Sequence, residues 1–320
     1  MNLMKYRWVF VGIFLATMLI STVFIFYNPY NGWGTKPGSS LNLGVDFTGG
    51  TKIYFPLSHS VTSDEVTAVL KTIKLPDFKY NAPQPGENID SQGIRRYKVL
   101  VYTRFLNDSE QQIVLKALEA KFGNPEKVGG LDISRVNPLI GKEIMQSALM
   151  AVLIASALML VYIWFRFSSF VSGFAAVFAL LHDALAVLGV VAVFGKEVNP
   201  TIIAAILTIL GYSINDTIVI YDRIRENLKY KTRDTLFVDL ANDSILQTFR
   251  RSLNTSFVTV LAILVLYLVV PNIRDFCFAM IVGITSGTYS SIFVASPLWA
   301  VYEDWQDRRK SLPKPANATR

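Results

Sequence analysis

Residues 211–227 read GYSINDTIVIYDRIREN. They close an apolar run that begins after Pro200, and inside that run stands a carboxylate, Asp216, with Asn215 beside it. A charged cluster of Asp222, Arg223, Arg225 and Glu226 follows at once. An acid inside a membrane-length apolar segment costs at least roughly 2.5–3.5 kcal/mol on insertion scales, so it is buried against a partner or lines a polar path. Two readings stay open. Asp216 caps a broken helix near the headgroups, since Asp222 stands only about 9 Å further along a helix rising ~1.5 Å per residue. Alternatively it is a proton or ion carrier: burial raises a carboxylate's pKa and a nearby cation lowers it, so a site alternating between those conditions loads and releases a proton. The second reading organises the rest of the chain.

The composition agrees with a membrane setting. The 320 residues are 52% hydrophobic with a mean hydropathy of +0.37, too apolar for a soluble domain. Lys+Arg 31 against Asp+Glu 24 gives +7, an excess that in a membrane protein reflects cytoplasmic loops and anionic headgroups, not nucleic acid. The single cysteine, Cys277, excludes an internal disulfide. The two histidines, His59 and His182, are far apart, so neither a metal-binding cluster nor any cofactor site is expected. There is no GxxxxGK[ST] loop for ATP, and no nucleophile–base–metal set suggests an enzyme.

Taken in order, residues 1–27 hold Lys5, Arg7 and an apolar run from Trp8 to Tyr27. It is long for a signal peptide and lacks a small-residue cleavage site, so it reads as an uncleaved first span with aromatic residues at both ends. Residues 28–140 form a polar external domain. Thr51–Pro56 alternates as a strand, and Thr62-Ser63-Asp64-Glu65 is a capping box opening a helix to about Lys74. A short extended piece lies near 76–81, followed by a Pro/Gly/Asn loop and a strand over Arg95–Thr103. Asn107-Asp108-Ser109-Glu110 opens a second helix closed by Gly123, and Lys127–Val136 forms the last strand. That order, βαββαβ, is ferredoxin-like. Residues 141–302 form a bundle of five spans: Ile144–Phe165, Phe170–Phe194, Thr201–Tyr221, Leu253–Val270 and Phe276–Tyr302. Asn199-Pro200 starts the third of these, and a charged cytoplasmic segment, 222–251, follows it. Residues 303–320 are a frayed polar tail. The expected fold is therefore an α-helical polytopic membrane protein with six transmembrane helices and one α+β external domain. The basic residues Lys5, Arg7, Arg166, those between 223 and 251, and Arg308, Arg309 and Lys310 fall on one side, so both termini are expected in the cytoplasm.

Three further groups are candidates for function or packing. Arg250 and Arg251 sit at the start of the fifth span, at a depth where one could pair with Asp216; as ordinary positive-inside residues they need no partner. His182 and Asp183 stand mid-span, as a structural pair or as a polar relay. Gly283, Gly287 and Ser291 have the small-xxx-small spacing of close helix packing.

Several stretches together resemble the SecD/SecF family of bacterial protein-export membrane proteins, and its SecF members most. They are LGVDFTGG (43–50), LHDALAVLG (181–189), the 211–227 block, RRSLNTS (250–256) and GTYSSIF (287–293). The resemblance runs from Trp8 to about Tyr302. It implies half of a resistance–nodulation–division type transporter, with SecD supplying the other half. It implies an accessory subunit of the Sec translocase in the bacterial inner membrane, using the proton motive force to promote late export of unfolded preproteins, with residues 28–140 periplasmic. The implied partners are SecD, the SecYEG channel with SecA, YajC, YidC and membrane lipids. The acid of the NDT triplet, Asp216, and the arginine of the R-[ST]-L-x-T-S motif, Arg251, are implied in proton coupling, with Asn215 and Arg250 as neighbours. Gly44, Asp46, Gly49 and Gly50 carry the family's glycine motif. Two other readings compete: a self-associating, ion-coupled exporter of small molecules or lipids, and a passive scaffold whose acids only pack the bundle. Proton and sodium both fit a lone carboxylate.

Overall fold

A computed structural model describes residues 3–26, 41–80, 83–89, 95–125, 131–167, 169–230 and 235–311. The contacts divide the chain into two compact units. One comprises Met1–Ile25, Ala151–Val190 and Thr201–Arg320; the other comprises Phe26–Met150 and Val191–Pro200.

In the helical unit, α1 (Arg7–Phe26) follows a 3-10 turn at Leu3–Tyr6. The short α2 (Val45–Thr48) and the sheet unit intervene in the chain. Among the described residues, six helices are long and apolar enough to cross a membrane, over Leu3–Phe26, Pro138–Phe167, Phe170–Val193, Pro200–Leu228, Phe237–Val269 and Arg274–Gln306. They bear out the expected fold class. Their large exposed side chains, Leu153, Leu158 and Phe165 among them, are what a lipid-facing surface requires.

The sheet unit contains β1 (Gly50–Leu57), α3 (Ser63–Lys71), β2 (Gln84–Ile89), β3 (Arg95–Thr103), α4 (Asp108–Phe122) and β4 (Asp132–Val136). The sheet order is β2-β3-β1-β4, all antiparallel. Alternation along β1 puts Ile53, Phe55 and Leu57 on one face, opposite Val101, Val99 and Tyr97 in register. Val66, Leu70, Val114 and Leu118 of the two helices close over that face. Both capping boxes form as the residues dictate. The Thr62 hydroxyl accepts from the Glu65 amide at 3.3 Å while the Glu65 carboxylate accepts from the Thr62 amide at 2.8 Å, and Asn107 and Glu110 do the same at 2.9 and 3.0 Å.

The second strand differs from expectation. No strand forms over the described residues 76–80, where Tyr80 makes an isolated bridge to Thr103, and residue 81 lies outside the described residues. The strand lies instead at Gln84–Ile89, inside the stretch read as a Pro/Gly/Asn loop. Among the described residues it pairs only with β3, so it is an edge, and an edge tolerates Pro85 because one side of the strand needs no amide. Tyr27, the start of the predicted last strand at Lys127 and the tail beyond Ser311 lie outside the described residues.

The remaining helices are α5 (Pro138–Phe167), α6 (Phe170–Val193), α7 (Pro200–Leu228) and α8 (Phe237–Val269). Of these, α6 matches the expected span to within a residue and the other three are longer than hydropathy suggests. Much of the charged segment 222–251 is therefore a continuation of α7 and α8. The last span is broken: α9 (Arg274–Ser290) ends in a π turn at Ser291–Ala295, and α10 (Ser296–Ser311) follows, so the tail is helical to Ser311. Pro297 explains the break. A proline has no amide to give and its ring collides with the carbonyl four residues back, and a wide turn just before it relieves both problems.

Candidate functional site

The polar centre of the helical unit is built on the buried stripe of α7. Ser213, Asp216, Thr217, Ile220, Tyr221 and Ile224 recur at helical spacing and are all buried. Asp216 is 3% exposed, whereas its neighbour Asn215 points outward. The Asp216 Oδ2 accepts a hydrogen bond from Ser256 Oγ of α8 at 3.3 Å. Ser256 in turn accepts from Thr288 Oγ1 of α9 at 2.6 Å. No ion pair to Asp216 is found among the described residues. Arg250 and Arg251 are exposed; Arg251 lines a cavity of about 410 Å³ with Val219, Asp222 and Glu226. The cluster after Asp216 is instead paired locally, Arg166 with Asp222 at 2.8 Å and Arg223 with Glu226 at 2.6 Å.

A second carboxylate is more heavily bonded. Asp183 of α6 is fully buried. Its Oδ2 accepts from Ser213 Oγ at 2.7 Å and Ser290 Oγ at 2.9 Å. Its Oδ1 accepts from Ser286 Oγ at 2.8 Å and lies 3.2 Å from His182 Nδ1. The other ring nitrogen, His182 Nε2, is 2.7 Å from Thr17 Oγ1 of α1, and the imidazole stacks on Phe14 at 4.1 Å. The two predicted residues thus bond each other while facing different helices, as their 100° separation demands. Nearby, Thr217 Oγ1 meets Ser291 Oγ at 2.8 Å, and Ser291 donates to the Ser213 carbonyl at 3.2 Å. Tyr221 donates to the Ser172 or the Ala295 carbonyl, at 3.3 and 3.2 Å.

The glycines make room for this centre. A Cβ on Gly283 would fall on the Ile209 side chain, and one on Gly287 would lie 2.8 Å from Ser213 Cβ and 3.4 Å from Asp183 Oδ2. The small-residue spacing read from the sequence is therefore the α7–α9 contact. Ser291 apart, the hydroxyl residues carry no motif of their own. Their signal is an i,i+4 repeat of Ser and Thr on apolar helices, at 213/217, 252/256 and 286/290.

In the sheet unit the glycine motif surrounds a separate charged cluster. The Gly44 amide donates to the Val198 carbonyl at 2.9 Å, and the Val198 amide donates to the Asn42 carbonyl at 2.8 Å, clipping the α6–α7 loop to residues 42–44. In that loop, Glu197 Oε2 pairs with Lys52 Nζ at 2.5 Å and accepts from the Tyr102 hydroxyl at 2.6 Å. Both side chains of the pair are nearly buried, 13% and 10% exposed. A Cβ on Gly44 would fall on the Glu197 carboxylate. Gly49 and Gly50 have φ of 72° and 140°, the region only glycine enters freely, and carry the chain from α2 into β1. Burial, and then the Glu197 charge, push the Asp46 carboxyl above its usual range, against the pull of Lys52. Burial alone would lower the Lys52 ammonium, but the Glu197 charge and hydrogen bond leave it above the ordinary lysine value. Among the described residues no group of three or more His, Cys, Asp or Glu is placed to hold a metal ion.

Comparison with known proteins adds the following. Residues 115–305 match a family described as protein export membrane protein SecD/SecF, C-terminal, and residues 41–61 match the SecD/SecF GG motif. Protein translocase subunit SecF of Sebaldella termitidis is 36% identical over 301 residues, covering 93% of this chain and 90% of that one. Protein translocase subunit SecDF of Thermus thermophilus is 38% identical over 279 residues, covering 87% of this chain and 36% of that one. The crystal structure of SecDF, a translocon-associated membrane protein from the same organism, superposes with a TM-score of 0.79 at 32% identity over 95% of this chain. The chain spans 39% of the length of that structure.

Proposed function

The chain belongs to the SecD/SecF family of protein-export membrane proteins, and from that premise we propose that it is an ion-coupled subunit of the Sec translocase. It is a multi-pass membrane protein. Our reading places it in the bacterial inner membrane with both termini cytoplasmic and residues 28–140 periplasmic. A SecD partner completes the two-bundle transporter, and the assembled complex serves the SecYEG channel and its SecA motor, with YajC and YidC as companions. The work is late export of unfolded preproteins driven by the proton motive force. The role is transport, not catalysis.

The observation that carries this reading is Asp216. It is buried in a membrane span and held by a hydroxyl, with no cation among the described residues bonded to it. A carboxylate so placed changes its preferred protonation state when its surroundings change, which is what ion coupling needs. Arg251 and Arg250, close by in sequence to Ser256, supply the cation that approaches when the bundle rearranges. One charge crossing 100 mV is worth roughly 2.3 kcal/mol, close to a fifty-fold bias on a conformational equilibrium at RT of about 0.59 kcal/mol.

The outer face of α7 supports the need for a partner. Thr201, Ala204, Thr208, Gly211 and Asn215 form an exposed stripe at alternating three- and four-residue spacing. Small and polar residues suit helix–helix contact far better than lipid, so the second bundle is assigned to this face.

The test is export of a secreted reporter from membrane vesicles under an imposed proton or sodium gradient, comparing the native protein with Asp216→Asn. Expression and SecD binding are checked in parallel. Loss of the gradient-dependent part of export in an assembled variant is the expected result, and the effective gradient identifies the ion. Undiminished export in the variant would make Asp216 structural.

A further inference from the structure

Counting protons around His182 leads to a second site. Ser213 and Ser286 each have a single hydroxyl hydrogen, and each gives it to Asp183. Asp183 Oδ1 and His182 Nδ1 face each other at 3.2 Å, which is a hydrogen bond only if one of them carries a proton. On the far side of the ring, Thr17 Oγ1 lies 2.7 Å from Nε2 and also 2.9 Å from the Phe14 carbonyl. Thr17 has one hydrogen for two acceptors, so the state of the ring decides where it points.

Asp183 Oδ2 already accepts from Ser213 and Ser290, and with that oxygen kept as an acceptor two arrangements make both ring contacts hydrogen bonds. In the first, Nε2 carries a hydrogen and donates to Thr17, and Thr17 donates to the Phe14 carbonyl. A further proton is then shared between Nδ1 and Asp183 Oδ1, as imidazolium with carboxylate or imidazole with carboxylic acid. Every close contact is satisfied. In the second, the shared proton has left. Nδ1–H donates to an ionised Asp183, Nε2 is bare, and Thr17 must turn its hydrogen from Phe14 to the ring. The two arrangements differ by one proton and by the direction of one hydroxyl.

We infer that His182 and Asp183 form a proton-binding site, distinct from Asp216, whose occupancy is read by the Thr17 hydroxyl of α1. The groups that face the pair are Phe14 and Thr17 from α1, Ser213 from α7, and Ser286 and Ser290 from α9. None of these bears a charge. Asp216 stands one turn along α7 from Ser213 but bonds Ser256 instead. Gly287, whose Cβ would lie 2.9 Å from the Ser213 hydroxyl, leaves that donor room to reach Asp183. The inference rests on its own geometry and holds whether or not Asp216 is the coupling group.

The experiment uses the full chain in lipid nanodiscs, labelled with 15N-histidine. The sequence has two histidines, and His59 is exposed in the sheet unit, so it serves as an internal reference. The ring-nitrogen signals are followed from about pH 4 to about pH 9, where an unperturbed imidazole changes fully. The expected result is that His182 carries a proton on Nε2 at the acid end and on Nδ1 alone at the alkaline end, independently of His59. Asp183→Asn should abolish or displace that change, and Thr17→Val, which removes the acceptor of the Nε2 hydrogen, should disfavour the acid form while leaving the alkaline Nδ1 tautomer that Asp183 holds. A native His182 whose two ring signals never change across the range would overturn the inference, even if neither variant folds.

Discussion

Glu197→Ala is the sharpest test of the charged cluster beneath β1. The substitution removes the acceptor of Lys52 and of the Tyr102 hydroxyl at one stroke. Lys52 is then left nearly buried, with the faces of Tyr54 and Tyr102, 5.2 and 5.4 Å away, and the Asp46 carboxyl to receive its charge. Removing one partner of a buried pair costs about 3–5 kcal/mol, chiefly because the other charge stays behind. The two ring contacts offset about 0.5–1 kcal/mol each, so a net cost of about 1–4 kcal/mol is expected. The clip formed by the Gly44 and Val198 amides adjoins this pair, since Val198 follows Glu197 in the chain. Hydrogen exchange at those two amides should therefore accelerate by about 0.7 to 3 decades, at about 1.4 kcal/mol per factor of ten. Lys52→Met with Glu197→Ala removes both charges and should recover most of the loss. The raised Lys52 value sets the sign with pH: the native pair contributes fully below the ordinary lysine range and fades as pH climbs through the raised one. If the single substitution leaves exchange within a factor of about three, the pair behaves as an exposed salt bridge worth under ~1 kcal/mol and the reasoning fails. A double substitution no better than the single one would refute it equally.

Other expectations follow from single contacts. Gly283→Ala should destabilise the helical unit by about 1–3 kcal/mol through overpacking against Ile209, with Ile209→Ala restoring the thermal midpoint; equal loss in both variants would deny the contact. Asp46→Asn should stabilise the sheet unit at neutral pH. The folded state holds this proton more tightly than the unfolded one, so native stability falls as pH rises through the Asp46 range, and the gain from Asn should vanish in acid. Asn215→Leu should leave the melting of the isolated chain unchanged, because the side chain is exposed, yet weaken copurification with SecD; unchanged copurification would place the partner elsewhere.

Much of the architecture is legible in the residues, and the failures have physical causes. The spans are visible because lipid demands about 20 apolar residues in a row, and Thr62 and Asn107 mark helix starts because their side chains fit orphan amides. The strand at Gln84–Ile89 was hidden because Pro85 and Gly86 read as a turn, and only the neighbour β3 makes it a strand. Asp216 stood out because a charge in an apolar run is conspicuous. Its hydroxyl partners did not, since Ser and Thr disturb hydropathy little and their roles depend on which helices meet. Thr17 and His182 are 165 positions apart, and Lys52 and Glu197 are 145 apart. No local pattern announces such pairs.

The π turn at Ser291–Ala295 makes the number of residues here matter as well as their kind. Residues on a regular helix are about 100° apart, and the turn carries one more residue than regular winding would use. On one side of it Ser286 and Ser290 are aimed at Asp183. On the other, Trp299 is set against Tyr221 at 4.7 Å and Phe237 at 5.6 Å. The last span therefore keeps two separate phases, one for its hydroxyls and one for its aromatics. Deleting a single residue within the turn would bring them into step, rotating Trp299 about 100° away from its ring partners while leaving the serines in place. A substitution at the same point, even a large one, leaves both phases intact.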